Sequence, residues 1–337
     1  MPKDTQDPPS RHRAVIAGCG SYAPPKLLTN DDLSQIVETS DEWITTRTGI
    51  KVRHISEDHE TTATLAAEAA KRALEHAKVR AEEIDLIIVG TITPEMVFPS
   101  TACFVQDAIG AANAWVFDLS AACSGFVYAL HIAQQFMENG RINKALIIGA
   151  ETLTKIINWK DRASCILFGD GAGAVVLERK TDQGRGILYS TMGADGSQWG
   201  SLNCKAHGSR HPAHKPLENP DDIYMEINGR EIYQQAVRRI VESVRSCLDH
   251  CGLTVDDIGM VISHQMNARI IESAAKRLKL PDEKVFVNIA DYGNTSAASV
   301  PIALDECVRT GRIERGDIIV FVAFGAGVTW GASVVEF

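Results

Sequence analysis

The sequence predicts a duplicated α/β fold whose sheets are mostly parallel and covered by helices. Three observations predict it. Short runs rich in Val and Ile alternate with longer helical stretches along the chain, the pattern of strand–helix units. Segments of the first part return in the second, offset by about 170 of the 337 residues, as a duplicated unit requires. A chain of this length, with 45% hydrophobic residues punctuated throughout by glycine, can build a large core.

The elements follow in order. Residues 1–13 are polar and Pro-rich and lack the apolar stretch of an export signal, so they read as a disordered lead-in to a cytoplasmic protein. Residues 14–185 form the first half and 186–337 the second. In the first half, 61–76 reads as helix, 86–90 as strand, 104–109 as helix and 114–119 as a buried strand. Residues 126–138 read as helix because Phe126, Leu130, Ala133 and Met137 fall on one face. Residues 144–149 are the next strand, and 192–220 is a loop-rich stretch between the halves. In the second half, 232–251 and 268–278 read as helices. The repeat pairs Ile84-Asp85-Leu86-Ile87-Ile88-Val89 with Ile258-Gly259-Met260-Val261-Ile262-Ser263, and Asn139-Gly140-Arg141-Ile142 with Thr310-Gly311-Arg312-Ile313. A third likeness joins Phe168-Gly169-Asp170-Gly171 to Phe324-Gly325-Ala326-Gly327.

A formal net charge of −9 argues against nucleic acid or an anionic membrane as the main partner, and no apolar run is long enough to span a bilayer. The eight cysteines form no CxxC pair and are scattered, as reduced thiols are. No metal site is expected. Cys247, His250 and Cys251 lie on a helical stretch and lack an evident fourth ligand, and His207, His211 and His214 read as a solvated loop.

Cys123 is the most informative residue. It follows a strand and precedes a helix, among Ala121, Ala122, Ser124 and Gly125. Free N–H groups and the positive end of the helix dipole favour a thiolate there, and small neighbours leave room for a substrate. The alternative is a buried structural cysteine packed as a small hydrophobe. The second half offers partners at two strand ends. His264 can exchange a proton, and Asn294 can donate a hydrogen bond while neutral, so the two suit an oxyanion hole. Taken singly, His264 reads as a satisfied core histidine and Asn294 as a turn residue. The glycine-rich turn 325–327 suits close backbone approach and lacks the Lys and Ser/Thr of a phosphate loop.

Together these motifs resemble the 3-oxoacyl-[acyl-carrier-protein] synthase III family, from about residue 15 to residue 337. The matching stretches are 41–50 (with Trp43 and Arg47), Phe98-Pro99-Ser100, 118–125, 168–173, 264–269, 293–299 and 324–331. The resemblance implies a thiolase fold, five αβαβα layers around two mixed, mostly parallel sheets. It implies that Cys123 is acylated by acetyl-CoA or another short acyl-CoA. Decarboxylative Claisen condensation with malonyl-acyl-carrier protein then starts fatty-acid synthesis, with His264 and Asn294 completing the triad. CoA is a substrate, and no cofactor is implied. Trp43 and Arg162 would flank the adenine, Arg47 the phosphates, and Gly229 and Asn267 the pantetheine. Phe324 would lie against the triad, Ala326 would belong to the acyl oxyanion turn, and Phe98 would line a partner's pocket across a homodimer interface. Arg269, Lys276 and Arg277 would dock the acidic carrier protein, although a solvated helix face explains them equally well.

One departure stands out. The family's His-Gln-Ala-Asn reads here His264-Gln265-Met266-Asn267, which leaves the acyl preference open. The competing readings are a related condensing enzyme of secondary metabolism, a thiolase (which would need a second catalytic Cys near the C-terminus), a Cys-His-Asn thioester hydrolase and a non-catalytic carrier-binding protein.

Overall fold

The computed structural model describes residues 12–181, 185–206 and 208–337; His207 lies outside them. The first half runs β1 (His12–Tyr22), β2 (Leu27–Thr29), α1 (Asn30–Ser34), α2 (Asp41–Thr48), β3 (Val52–His54), α3 (Thr62–Ala77), β4 (Leu86–Gly90), α4 (Thr101–Ile109), β5 (Trp115–Leu119), α5 (Gly125–Glu138), β6 (Lys144–Thr152), α6 (Arg162–Cys165) and β7 (Asp170–Thr181). The second runs β8 (Gly186–Ala194), β9 (Leu202–Cys204), β10 (Met225–Ile227), α7 (Gly229–Cys251), β11 (Met260–Ser263), α8 (Ala268–Leu278), β12 (Val285–Phe286), α9 (Ile289–Tyr292), α10 (Ser299–Arg309), β13 (Ile318–Gly325) and β14 (Thr329–Glu336).

The duplication is visible in the sheets. One has the order β1-β7-β6-β4-β5 and the other β8-β14-β13-β11-β12. The senses also match. β4 runs parallel to β5 and β6, as β11 does to β12 and β13, and the remaining pairs are antiparallel. The first sequence likeness falls on the equivalent strands β4 and β11, and the second on the equivalent turns that follow α5 and α10 and lead into β6 and β13. The third does not: Phe324 lies in β13, whereas Phe168 lies in the connection ahead of β7.

Five layers result. α3 and α4 cover the outer face of the first sheet through Leu65, Ala69, Ala73, Ala102 and Val105. α7 and α8 cover the outer face of the second through Val237, Val244, Ile270 and Leu278. Between the sheets lie α5 and α10. Phe126, Leu130, Ala133 and Met137, the predicted face of α5, are fully buried there. Phe126 meets Phe321 of β13 edge to face with centroids 6.3 Å apart. Truncating either ring to Ala removes about 3–5 kcal/mol of packing.

Three expectations need correction. β1 begins at His12, so the last two residues assigned to the lead-in pair with β7 instead. β5 is not a buried strand. It is the sheet edge, bonded on one side only, and Trp115 at its head is 54% exposed. The stretch 192–220 is not simply loop. It holds the end of β8 and β9, and β9 pairs with β10. The smaller differences are at element ends, where α4 starts at Thr101 because the Asp118 carboxylate on β5 accepts from Thr101 N (2.6 Å) and Ala102 N (2.9 Å).

Candidate active site

The turn Ala122–Ser124, which carries Cys123, leaves the end of β5 and runs straight into α5. Ala122 is held at φ 46°, a strained left-handed conformation that turns the chain sharply and presents Cys123 between the sheets. Gly325, at the end of β13, touches this turn from the other half. A Cβ there would lie 2.7 Å from Cys123 N, so only glycine lets the strand approach. Thr329 pins the following turn by donating to Ala121 O at 2.9 Å, and Ser124 Oγ donates to Thr329 O at 3.1 Å.

The structure brings the three predicted catalytic residues to one pocket. Cys123, His264 and Asn294 line an apolar cavity of about 150 Å³, walled by Leu167, Phe168, Leu202, Ile227 and Phe324, with Ala326 and Met266 also on its lining. His264 follows the end of β11. Its Nε2 is buried without a hydrogen-bond partner among the described residues, and its Nδ1 lies 2.7 Å from Ser299 Oγ. The Ser299 hydroxyl has a single proton to give. Given to the Ser296 carbonyl (2.9 Å), it requires an N–H on Nδ1 and leaves Nε2 a bare acceptor. Given to Nδ1, it leaves the imidazole proton on Nε2. Asn294 is pinned by Asn294 N to Leu167 O (2.8 Å) and Gly169 N to Asn294 O (3.1 Å). Its Oδ1 accepts from Ser296 N at 2.9 Å, which frees the amide N–H groups for a ligand.

The electrostatics correct one expectation. The position ahead of α5 was expected to favour a thiolate, yet burial pushes the Cys123 thiol up to about 12. Desolvation outweighs the helix dipole here. Burial likewise holds His264 down to about 3, so the resting site pairs a thiol with a neutral imidazole.

The remaining predicted residues fall into groups. Trp43 of α2 carries two guanidinium groups on its ring, Arg47 at 4.2 Å and Arg162 at 4.8 Å, and Arg162 also donates to Glu38 O. Asn267 lines the pocket, but its side chain is occupied. It donates to Arg47 O (3.0 Å) and accepts from Arg269 N (2.9 Å), tying α2 to the start of α8. Gly229 is the first residue of α7. Arg269, Lys276 and Arg277 are exposed on α8. Phe98 does not reach the Cys123 pocket of its own chain and is 81% exposed. Cys247 is buried against Ala332 O, and His250 stacks on Tyr189. Sequence reasoning missed Leu202, Ile227, Ser296 and Ser299.

A duplicated five-layer fold with Cys, His and Asn from two halves around one apolar pocket defines a condensing enzyme of the thiolase fold. Comparison with known proteins narrows the class. The family model "3-Oxoacyl-[acyl-carrier-protein (ACP)] synthase III" matches residues 117–196, and that for its C-terminal part matches 248–337. A beta-ketoacyl-[acyl-carrier-protein] synthase III from Caldanaerobacter subterraneus subsp. tengcongensis is 57% identical over 325 residues, covering 96% of this chain and 97% of the relative. The crystal structure of 3-oxoacyl-[acyl-carrier-protein] synthase III from Aquifex aeolicus superposes with a TM-score of 0.89 at 48% identity, covering 96% of this chain and 100% of that one. The beta-ketoacyl-[acyl carrier protein] synthase III structure from Thermus thermophilus gives 0.90 at 42%, covering 96% and 99%. The chain belongs to the beta-ketoacyl-[acyl-carrier-protein] synthase III family, the condensing acyltransferases of fatty-acid synthesis.

Proposed function

We propose that Cys123 accepts an acyl group from acetyl-CoA or another short acyl-CoA and passes it to the enolate of malonyl-acyl-carrier protein. The observation that carries this is the convergence in one apolar pocket of Cys123, a His264 Nε2 and Asn294 amide N–H groups that have no partner among the described residues. In the first half-reaction the sulfur attacks the thioester carbonyl and CoA thiolate leaves. The Cys123 N–H and an N–H of the Ala326 turn hold the acyl oxygen. In the second, the malonyl thioester oxygen lies between His264 and Asn294. For this step Ser299 turns its proton from the Ser296 carbonyl to Nδ1, so that Nε2 carries the proton that meets the growing negative charge. The apolar wall at Phe324 disfavours the malonyl carboxylate relative to CO2. The enolate carbon then displaces Cys123 and yields the 3-oxoacyl product. Every electron pair in this cycle comes from a thiolate, a carboxylate or an enolate, so it needs no metal or cofactor.

The other roles follow from placement. Trp43, Arg47 and Arg162 form a flat cationic platform suited to the adenine and phosphates of CoA, with Asn267 and Gly229 toward the pantetheine. Arg269, Lys276 and Arg277 stand on the helix whose start borders the pocket, where an acidic carrier protein would deliver its donor. Val97 and Phe98, both over 80% exposed, are taken as a homodimer contact that places Phe98 at the partner's pocket. No described helix is long and apolar enough to cross a membrane, and a cytoplasmic location fits the use of CoA and carrier protein.

Intact mass measured with a panel of acyl-CoAs, on the wild type and on Cys123→Ser, tests the reading. An acyl adduct on the wild type alone is expected, converted to 3-oxoacyl-carrier protein on adding malonyl-carrier protein. No adduct with any acyl-CoA refutes it, and an adduct that only hydrolyses favours a hydrolase. Arg269→Glu should weaken use of the carrier-bound donor several-fold and spare acylation by acetyl-CoA. Equal loss in both halves sinks the docking site.

A further inference from the structure

Beneath the nucleophile turn lies a carboxylate that the mechanism above does not use. Glu151, near the end of β6, is fully buried. Its Oε2 accepts from Thr91 Oγ (3.1 Å), Ile92 N (3.1 Å), Thr93 N (3.2 Å) and Thr93 Oγ (2.6 Å), whereas Oε1 has only a 3.3 Å contact from Ile92 N among the described bonds. Over this strand end sits the turn Ser296–Ala298. It can descend so far because residue 149 is glycine, where a Cβ would collide with Ala297 O. Ser296 is held at φ 48°, and its buried Oγ has no hydrogen-bond partner among the described residues. Its turn packs against both the Cys123 turn and the end of β6, and its hydroxyl draws down the proton affinity of Cys123 and Glu151. A strained, buried serine with an unspent hydroxyl thus stands between the nucleophile and a carboxylate oxygen short of donors.

We propose that Glu151 is the proton store of the acyl-transfer cycle, exchanging a proton with the Cys123 thiol through the Ser296 hydroxyl. As the thiol gives its proton to Ser296 Oγ, Ser296 gives its own to Glu151 Oε1. Cys123 becomes a thiolate, Glu151 a neutral acid, and no electrons change hands. The thiolate attacks the acyl-CoA carbonyl, the C–S bond to CoA breaks, and CoA thiolate takes a proton from solvent. While the acyl group stays on Cys123, Glu151 keeps the proton. When the enolate displaces Cys123, the freed thiolate takes it back along the same path. Burial places the Glu151 carboxyl at about 7, where it can both accept and return a proton. Its titratable surroundings are few. The nucleophile turn offers Cys123, and β7 offers Asp170, whose carboxylate is taken up by Ser56 and Thr154. Residues 91–93 and the turn Ser296–Ala298 bring only Thr, Ile, Ser and Ala, and Glu95 beyond them is turned to the start of α3, where it accepts from Ala63 N at 3.1 Å.

The proposal rests on Cys123 as the acyl acceptor, but its test does not need acyl-CoA. Alkylation of Cys123 by iodoacetamide, followed by peptide mass spectrometry from pH 6 to 9, reads thiolate formation directly. In the wild type the rate should rise through about pH 7. In Glu151→Gln and in Ser296→Ala it should be about tenfold slower or more at pH 8, with that limb gone. Simple charge repulsion predicts the reverse, since removing a neighbouring carboxylate eases thiolate formation. Variants as fast as the wild type, or faster, overturn the proposal. Ser296→Ala removes only a hydroxyl and carries the test if Glu151→Gln fails to fold. Intact mass after acetyl-CoA treatment judges the acceptor reading separately.

Discussion

Two turns in this molecule share one backbone and differ in what they carry. Ala122–Ser124 leads into α5, and Ser296–Ala298 leads into α10. Each opens on a residue in the left-handed region, Ala122 at 46° and Ser296 at 48°. Each is approached by the end of a strand from the opposite half, at Gly325 or at Gly149. Position by position, Cys123 matches Ala297, and Gly125 matches Ser299. The duplication therefore built two sites fit for a nucleophile and placed sulfur in one. The second turn became support: Asn294 precedes it, Ser296 lies against the thiol, and Ser299 orients His264. Chemistry in a duplicated fold is divided, with one copy reacting and the other holding.

Exchanging the residues tests that division most severely. Cys123→Ala removes the acyl acceptor, and condensation should fall by about four orders of magnitude or to background. Adding Ala297→Cys to it should restore nothing. Residue 297 is fully buried, and the larger side chain should cost about 1–3 kcal/mol in thermal melts. An acyl adduct on residue 297 would break the comparison. Gly325→Ala comes next. Its Cβ displaces the nucleophile turn without touching the chemistry, and kcat/KM should drop about a hundredfold. Ser299→Ala should be milder. Leaving His264 Nδ1 unpaired costs about 1–2 kcal/mol in the condensation half-reaction, roughly tenfold in rate, with acylation by acetyl-CoA little changed. Equal loss in both halves would mean that Ser299 merely supports the fold.

The smallest effect is one of stability, and it belongs to His264. Its folded proton affinity is depressed, so below pH ~6.5 the unfolded chain binds a proton that the folded chain refuses. Stability present at neutral pH is lost as pH falls toward 3. His264→Asn should lose on the order of 2 kcal/mol less than the wild type between pH 6.5 and 4 in urea melts. A parallel loss in both proteins would place the acid sensitivity elsewhere.

Much of this fold was legible because apolar periodicity reports burial directly. Residues 86–90 and 268–278 read as they are found, and the repeat gave the equivalence of β4 with β11. β5 misled because an apolar run looks the same whether the strand has two neighbours or one. Leu202 and Ile227 were missed because β9 and β10 are three residues each, too short for a period. The meeting of Cys123, His264 and Asn294 in one pocket was legible because Cys, His and Asn bear chemistry at strand ends. The likeness of the two turns was not, since Ala121-Ala122-Cys123-Ser124-Gly125 and Thr295-Ser296-Ala297-Ala298-Ser299 share no identity. Their common signal is a run of small residues between a strand and a helix. Ser299 has no chemistry until a histidine is placed beside it, and Glu151 reads as the polar tail of a strand.

Holding the nucleophile as a thiol has a consequence beyond turnover. Peroxide consumes cysteines as thiolates, and the sulfinic and sulfonic products do not return. A cysteine buried against ionisation is a poor target for it. The same desolvation that makes Cys123 wait for an acyl donor spares it from oxidation while it waits, so the enzyme should age through exposed thiols such as Cys204 before its own nucleophile.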